Sequence, residues 1–310
     1  MKKTALGLLF LISLFFLGAC SAASQQSKDN QVKVMTTFYP MYAFTKAVVG
    51  DSGQVDLLIP AGTEAHDYEP SAKDLAKISE AGMLVYNSNY FETWIKDVKK
   101  NAKDTQTTFV QASQGIQLLD SAQEHEDEAD EEEHAHAKVD PHVWLDPVLA
   151  QEEVKTIRDA LIKKYPKYKA TFTKNASAYL AKLAELNQQY VDATKTATNK
   201  TFVTQHAAFG YLAHQYGLTQ VAISGISPDE EPSPSRLASL KTFVDEHQVK
   251  VIYFEENASS KVAQTLAKET GVKLAVLNPL EGLTKKQMQA GEDYLSVMTE
   301  NLQALKESIQ

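Results

Sequence analysis

The chain has 310 residues, of which 43% are hydrophobic and 23% charged, a composition that fits a globular protein and excludes a disordered one. Its formal charge is −9, and subtracting Lys2 and Lys3 would take it to −11, so nucleic acid and anionic lipid surfaces are poor partners. A single cysteine excludes an internal disulfide.

At the N-terminus, Lys2 and Lys3 precede an apolar run from Ala5 to Leu17. The run is shorter than the roughly 20 residues of a comfortable membrane span. It ends in Leu17-Gly18-Ala19-Cys20 and passes at once into polar residues, as a cleaved secretory leader does. The Leu-Gly-Ala-Cys sequence resembles a bacterial lipobox. That resemblance implies cleavage before Cys20 and lipid attachment to its thiol, with two or more acyl chains for stable anchoring. Ser21 to Gln31 is small and polar and reads as a flexible leash. About 290 residues remain after cleavage, which favours two domains.

Strand-like apolar runs follow at Val32–Phe38, Val55–Pro60, Met83–Ser88 and Phe109–Ala112, with helical patterns at Met41–Val49 and Ser71–Ala81. A segment without strand signal comes next. Val148–Lys164 reads as one helix stopped near Pro166, and Tyr168–Thr196 as a second with no internal Pro or Gly. Phe172, Ala176, Tyr179, Leu180, Leu183, Leu186 and Tyr190 make one stripe along the second helix. At 1.5 Å per residue it would extend roughly 43 Å, enough to join two lobes stiffly. A second strand group, Thr201–Gln205, Val221–Ser224, Val249–Glu255 and Val272–Leu277, alternates with helical patterns at His206–Tyr216, Ser233–His247 and Ser259–Thr270. The expected fold is α/β, with two doubly wound lobes of mainly parallel strands joined by a long rigid helix.

Four metal-compatible side chains fall just beyond strand-like runs or in local turns: His66, His142, His206 and Glu281. Ligands of open parallel sheets bind beyond the carboxyl ends of strands, and two candidates come from each lobe, so a metal would lie in the cleft between them. Three imidazole nitrogens and one carboxylate oxygen suit tetrahedral Zn2+, with no thiolate to hold the ion permanently. Any one histidine alone is more often a surface or core residue than a ligand. Glu281 alone would read as a carboxylate at a helix N-terminus. His214 and His247 sit within helical patterns and stay with the ordinary reading.

The elements TTFYPMYAF, AHDYEPSAKD, DPHVWLDP, TQHAAFGYLA, GISPDEEPSP and NPLEGL resemble those of the metal-binding solute-binding lipoproteins of bacterial ABC importers, the cluster A-I family, in its zinc-type branch. The resemblance runs from about Val32 to the C-terminus. It implies two Rossmann-like lobes joined by a backbone helix, and one tight zinc site formed by His66, His142, His206 and Glu281. The manganese-type relatives carry a carboxylate where this chain has His206, and imidazole there favours zinc. The resemblance further implies Zn2+ as transported ligand, a membrane permease and a cytoplasmic ATPase as partners, and a place on the extracellular face of the membrane, anchored through Cys20. The expected organisation is residues 1–19 as signal peptide, 20–31 as lipidated tether, 32–166 as first lobe, 167–198 as linking helix and 199–310 as second lobe.

The segment EHEDEADEEEHAHA, residues 124–137, carries eight acidic residues between Glu124 and Glu133 together with His125, His134 and His136. It reads either as a solvated acidic insertion or as a set of weak, transient accessory zinc sites near His142 that raise the local ion supply. Other functional classes are a manganese-type lipoprotein, a surface adhesin binding a host extracellular protein, and a zinc hydrolase. The hydrolase reading is weakest, because His125-Glu126 begins an HExxH pattern but position 129 is Ala, and no GxSxG or P-loop occurs. Capture is expected to proceed by movement of ligand loops rather than wide hinge opening. Zinc affinity should fall as pH drops through about 6, because the ligating imidazoles must be neutral. Asp140 or Asp146 would orient His142.

Overall fold

The first lobe is built on four short strands, β1 (Val32–Thr36), β2 (Gly53–Leu57), β3 (Met83–Tyr86) and β4 (Thr108–Gln111), all parallel in the order β2-β1-β3-β4. The structure is a computed structural model, and it describes residues 32–102, 105–120 and 139–310. The second lobe repeats the plan with β5 (Thr201–Thr204), β6 (Thr219–Ala222), β7 (Val251–Phe254) and β8 (Lys273–Val276), parallel in the order β6-β5-β7-β8. Both orders reverse between their second and third strands, which opens a crevice at the carboxyl ends where side chains can converge.

Period-two alternation sorts each strand's residues between two apolar layers. In β1 and β3, Val34, Met83 and Val85 face an inner core, while Met35, Leu84 and Tyr86 face an outer cluster with Ile78, Trp94 and Ile95. In β5 and β7, Phe202, Val251 and Tyr253 face inward, while Val203 and Ile252 meet Leu240, Val244 and Leu266 on the outside. Strands covered on both faces read as nearly unbroken apolar runs, as MLVY and VIYF do.

The outer layers are α2 (Ala72–Glu80) and α3 (Ile95–Asn101) in the first lobe, and α7 (Pro234–Glu246) and α8 (Lys261–Thr270) in the second. Sequence chemistry sets several starts. Ser71 and Asp74 form a reciprocal capping box on α2, and Ser233 caps α7 just before Pro234. The inner layer contains α1 (Tyr39–Val49), α4 (Pro147–Lys164), α5 (Lys169–Lys195), α6 (Gly210–Tyr216) and α10 (Tyr294–Ile309), with the short α9 (Lys285–Ala290) before α10. At 27 residues α5 is about 40 Å long, and it packs against α1, α4 and α10. Its buried stripe is Phe172, Ala176, Leu183, Leu186 and Tyr190.

One apolar core runs through both lobes: Val34, Phe44, Ile157, Leu183, Phe202, Val251, Tyr294 and Leu305 belong to the same buried cluster. The fold is therefore two parallel-sheet α/β lobes on a common helical spine. Among the described residues no helix is long and apolar enough to cross a membrane.

All eight predicted strands form, some with ends shifted by two or three residues. The helix expected from His206 begins at Gly210 instead. Thr204 Oγ1 and Gln220 Nε2 both donate to the His206 carbonyl, at 2.8 and 2.9 Å, so that carbonyl is taken before a helical turn could use it. Helices α3, α9 and α10 lie outside the elements read from sequence.

Candidate metal centre

The four candidate side chains arrive from four separate connections. His66 lies in the loop between β2 and α2. His142 follows Asp140-Pro141 and leads into a short 3-10 turn, Val143–Leu145, before α4. His206 stands two residues past β5, and Glu281 five residues past β8. These residues meet: one donor atom from each lies within 4.8 Å of the other three. Glu281 Oε1 is the hub, 3.1 Å from His66 Nε2, 3.3 Å from His142 Nε2 and 3.2 Å from His206 Nε2. His142 and His206 are fully buried, Glu281 nearly so, and the His66 side chain is 10% exposed, so the cluster meets solvent through His66.

Carboxylates orient two of the imidazoles from behind. Asp140 Oδ1 accepts from His142 Nδ1 at 2.8 Å and from the His142 backbone N–H at 2.9 Å. Glu255, the first residue past β7, takes the Nδ1 of His206. Each contact places the Nδ1 proton outward and leaves Nε2 facing the cluster, the tautomer a metal ligand needs. Asp146, the other sequence candidate for orienting His142, caps α4 by accepting from Val148 N at 2.7 Å. Glu64 Oε1 accepts the His66 backbone N–H at 2.9 Å, and burial together with the nearby Glu281 charge raises its pKa to about 7.

Aromatic rings support the first-lobe histidines. Phe91 meets His66 edge-on at 4.8 Å between centroids, Trp144 lies 5.1 Å from His142, and Phe38 packs against both Phe91 and Trp144. The Glu281 loop is held more rigidly still. Leu280 has φ +60°, a left-handed conformation that a branched side chain adopts only under constraint. The constraint is visible: Asn278 Oδ1 accepts from Leu280 N at 2.7 Å, Asn301 of α10 exchanges two hydrogen bonds with the Asn278 backbone, and Trp144 Nε1 donates to Pro279 O at 2.8 Å.

Electrostatics in the metal-free cluster favour ion pairs. Burial works against charge on His142 and His206, but Asp140 and Glu281 around the first, and Glu255 and Glu281 around the second, outweigh it and raise both imidazoles. Burial also opposes charge on Glu281, and the surrounding histidines overcome it and hold its carboxyl well below the usual range. The pairing is incomplete, however. His206 Nε2 has no hydrogen-bond partner of acceptable direction among the described residues, despite the Glu281 oxygen 3.2 Å away. A buried nitrogen left without a well-directed partner, pointing into a ring of other donors, is a site a metal can take once the proton leaves.

His214 and His247 are exposed and lie outside this cluster. Cys20, the expected leader 1–19, the expected tether 20–31 and the segment 124–137 with His125, His134 and His136 lie outside the described residues. Glu255 escapes the sequence reading, although it carries the same signal as His206, a titratable residue just past an apolar strand.

A two-lobed α/β protein with a buried cluster of three histidines and one carboxylate where its parallel sheets face each other is the class that fold and site define. The sequence matches the ZnuA family, zinc-uptake complex component A, periplasmic, over residues 34–308, and the chain belongs to that family. The high-affinity zinc uptake system protein ZnuA of Bacillus subtilis is 52% identical, with 97% of both chains covered. The zinc-binding protein AdcA of Streptococcus pyogenes is 50% identical over 99% of this chain, which spans 61% of that relative's length. The crystal structure of the Zn(II)-bound ZnuA-like domain of Streptococcus pneumoniae AdcA superposes with a TM-score of 0.78 at 49% identity, covering 90% of this chain and 99% of that one.

Proposed function

We propose that this protein captures Zn2+ outside a bacterial cell as the solute-binding component of an ABC importer and delivers it to a membrane permease driven by a cytoplasmic ATPase. His66, His142 and His206 bind the ion through Nε2 and Glu281 binds it through a carboxylate oxygen, making one tight site. The observation that carries this reading is the convergence of four donor atoms within 4.8 Å from four connections of two lobes. Three nitrogens and one oxygen complete a tetrahedron, whereas a hydrolytic zinc site keeps a position open for water. The protein is therefore a carrier rather than an enzyme. Relatives named as zinc uptake and zinc-binding proteins support the choice of ion. A relative named as a zinc-binding lipoprotein supports lipid anchoring through Cys20, with residues 20–31 as tether.

Capture exchanges protons for zinc. Asp140 and Glu255 keep His142 and His206 turned toward the ion, and Glu281 changes partners from imidazolium to metal. His66, the one partly exposed ligand, is where the ion first meets the site.

Competitive titration of the metal-stripped protein with Zn2+ against Mn2+, beside His206→Ala, tests the assignment. One tight zinc site that manganese does not displace, weakened at least about 100-fold in the variant, is the expected result for loss of a direct ligand, above the roughly 10–100-fold typical of an outer partner. Equal manganese binding, or an unaffected variant, refutes it.

A further inference from the structure

The turn that carries His142 is gripped from the opposite lobe. Asp140 Oδ1 orients His142, and Asp140 N donates to Leu119 O at 2.9 Å, so Leu119 and Asp140 lie side by side. The hydroxyl of Tyr211, on α6 of the second lobe, joins both. It donates to Asp140 O at 2.7 Å and accepts from Leu119 N at 2.8 Å. The residue before it, Gly210, makes the approach possible: a Cβ there would stand 2.5 Å from Asp140 Oδ2. Tyr211 is 3% exposed, so water cannot replace its hydroxyl without rearrangement.

From this arrangement we infer that Tyr211 is a positioning residue for metal binding. One hydroxyl satisfies an N–H and a C=O on two strands of main chain and thereby fixes Asp140, the group that sets the His142 ring and its tautomer. His206 leaves β5 immediately before α6, so the element that grips the His142 turn is continuous with the one that carries a second ligand. The distance between ligands of different lobes is held through Tyr211 as well as through the ion. This role rests on the reading that His142 is a ligand.

The test uses the full chain with Tyr211→Phe, which keeps the ring and removes the hydroxyl. Tyr190→Phe is the control, because Tyr190 is also buried and its hydroxyl donates to Met298 O at 2.8 Å, away from the cluster. Zinc affinity is measured by competition, and Co2+ serves as a spectroscopic stand-in whose visible bands report the ligand field. Tyr211→Phe is expected to bind zinc about three- to tenfold more weakly, below the roughly 10–100-fold of a partner that touches a ligating histidine directly, and to shift the cobalt bands. Tyr190→Phe is expected to lose comparable thermal stability and to change neither. Identical affinity and cobalt spectra in the two variants overturn the proposal. If Tyr211→Phe does not fold unaided, it is refolded with excess Co2+ and its visible bands are compared with those of the unaltered protein; unchanged bands there are again fatal. His142→Ala distinguishes the two readings: zinc binding that survives it removes His142 as a ligand and the role of Tyr211 with it.

Discussion

His206 is held between two carboxylates, Glu255 behind its Nδ1 and Glu281 in front of its Nε2, and that makes the metal-free site a proton trap. The raised pKa values of His142 and His206 and the lowered one of Glu281 fix the sign of its pH behaviour. The histidine contribution to metal-free stability is complete below the unfolded value of about 6.5 and is lost as pH rises through the raised folded values; the Glu281 contribution is present above about 4.3 and is lost as pH falls through its depressed value. The metal-free protein therefore gains most from these pairs between about 4.3 and 6.5. Under the proposed ligation zinc displaces the same protons, so its affinity begins to weaken above the ordinary histidine range, at higher pH than the value near 6 expected from free imidazole. Melting temperatures with and without zinc from pH 5 to 9 check this, the zinc-induced increment growing as pH rises. An increment flat across that range contradicts proton exchange at the ligands.

At the scale of elements, α5 is the part whose stability can be altered without touching the site. Leu183 is fully buried on its inner stripe, and Leu183→Ala should cost about 2–5 kcal/mol in unfolding free energy, measured by denaturant titration, with one zinc still bound per chain. This helix was legible from residue spacing alone, as were all eight strands, because each lies in a layered fold where burial follows period. Helix α10 has an equally regular buried stripe, Tyr294, Val297, Met298, Leu302, Leu305 and Ile309, broken by Asn301. It lies past the last strand, where α/β alternation sets no expectation. Asn301 occupies a core position because it serves the Glu281 loop. Helix α3 has only seven residues, two of them buried, too few to establish a period. The four side chains that converge were legible because each stands past a strand or in a marked turn. Tyr211 and the left-handed Leu280 were not, since their roles depend on which distant backbone they meet.

Across the whole molecule, the shared core opposes a wide hinge. Trp144 ties the lobes through Pro279 O, and Tyr294 ties them through Trp144 O at 2.5 Å, both within the aromatic and helical packing behind the site. Separating the lobes would expose this layer along with the inner face of α5. Small-angle scattering on zinc addition should therefore give a radius of gyration unchanged within about 0.5 Å, with the response confined to loops such as that of His66. A contraction of several ångströms would show hinge closure and contradict the continuous core.

That core also dictates when the two lobes can finish folding. Helix α10 supplies Tyr294, Val297, Met298, Leu302, Leu305 and Ile309 to the layer shared by both lobes, and its Ile309 carbonyl accepts from Thr198 and Asn199 just past α5. Until residues 294–309 are present, the inner face of the second sheet and one side of α5 stay uncovered, and the Asn301 that braces the Glu281 loop is missing. A chain emerging from its N-terminus thus keeps this core open until α10 arrives, and covering of the second sheet and bracing of Glu281 become a single event.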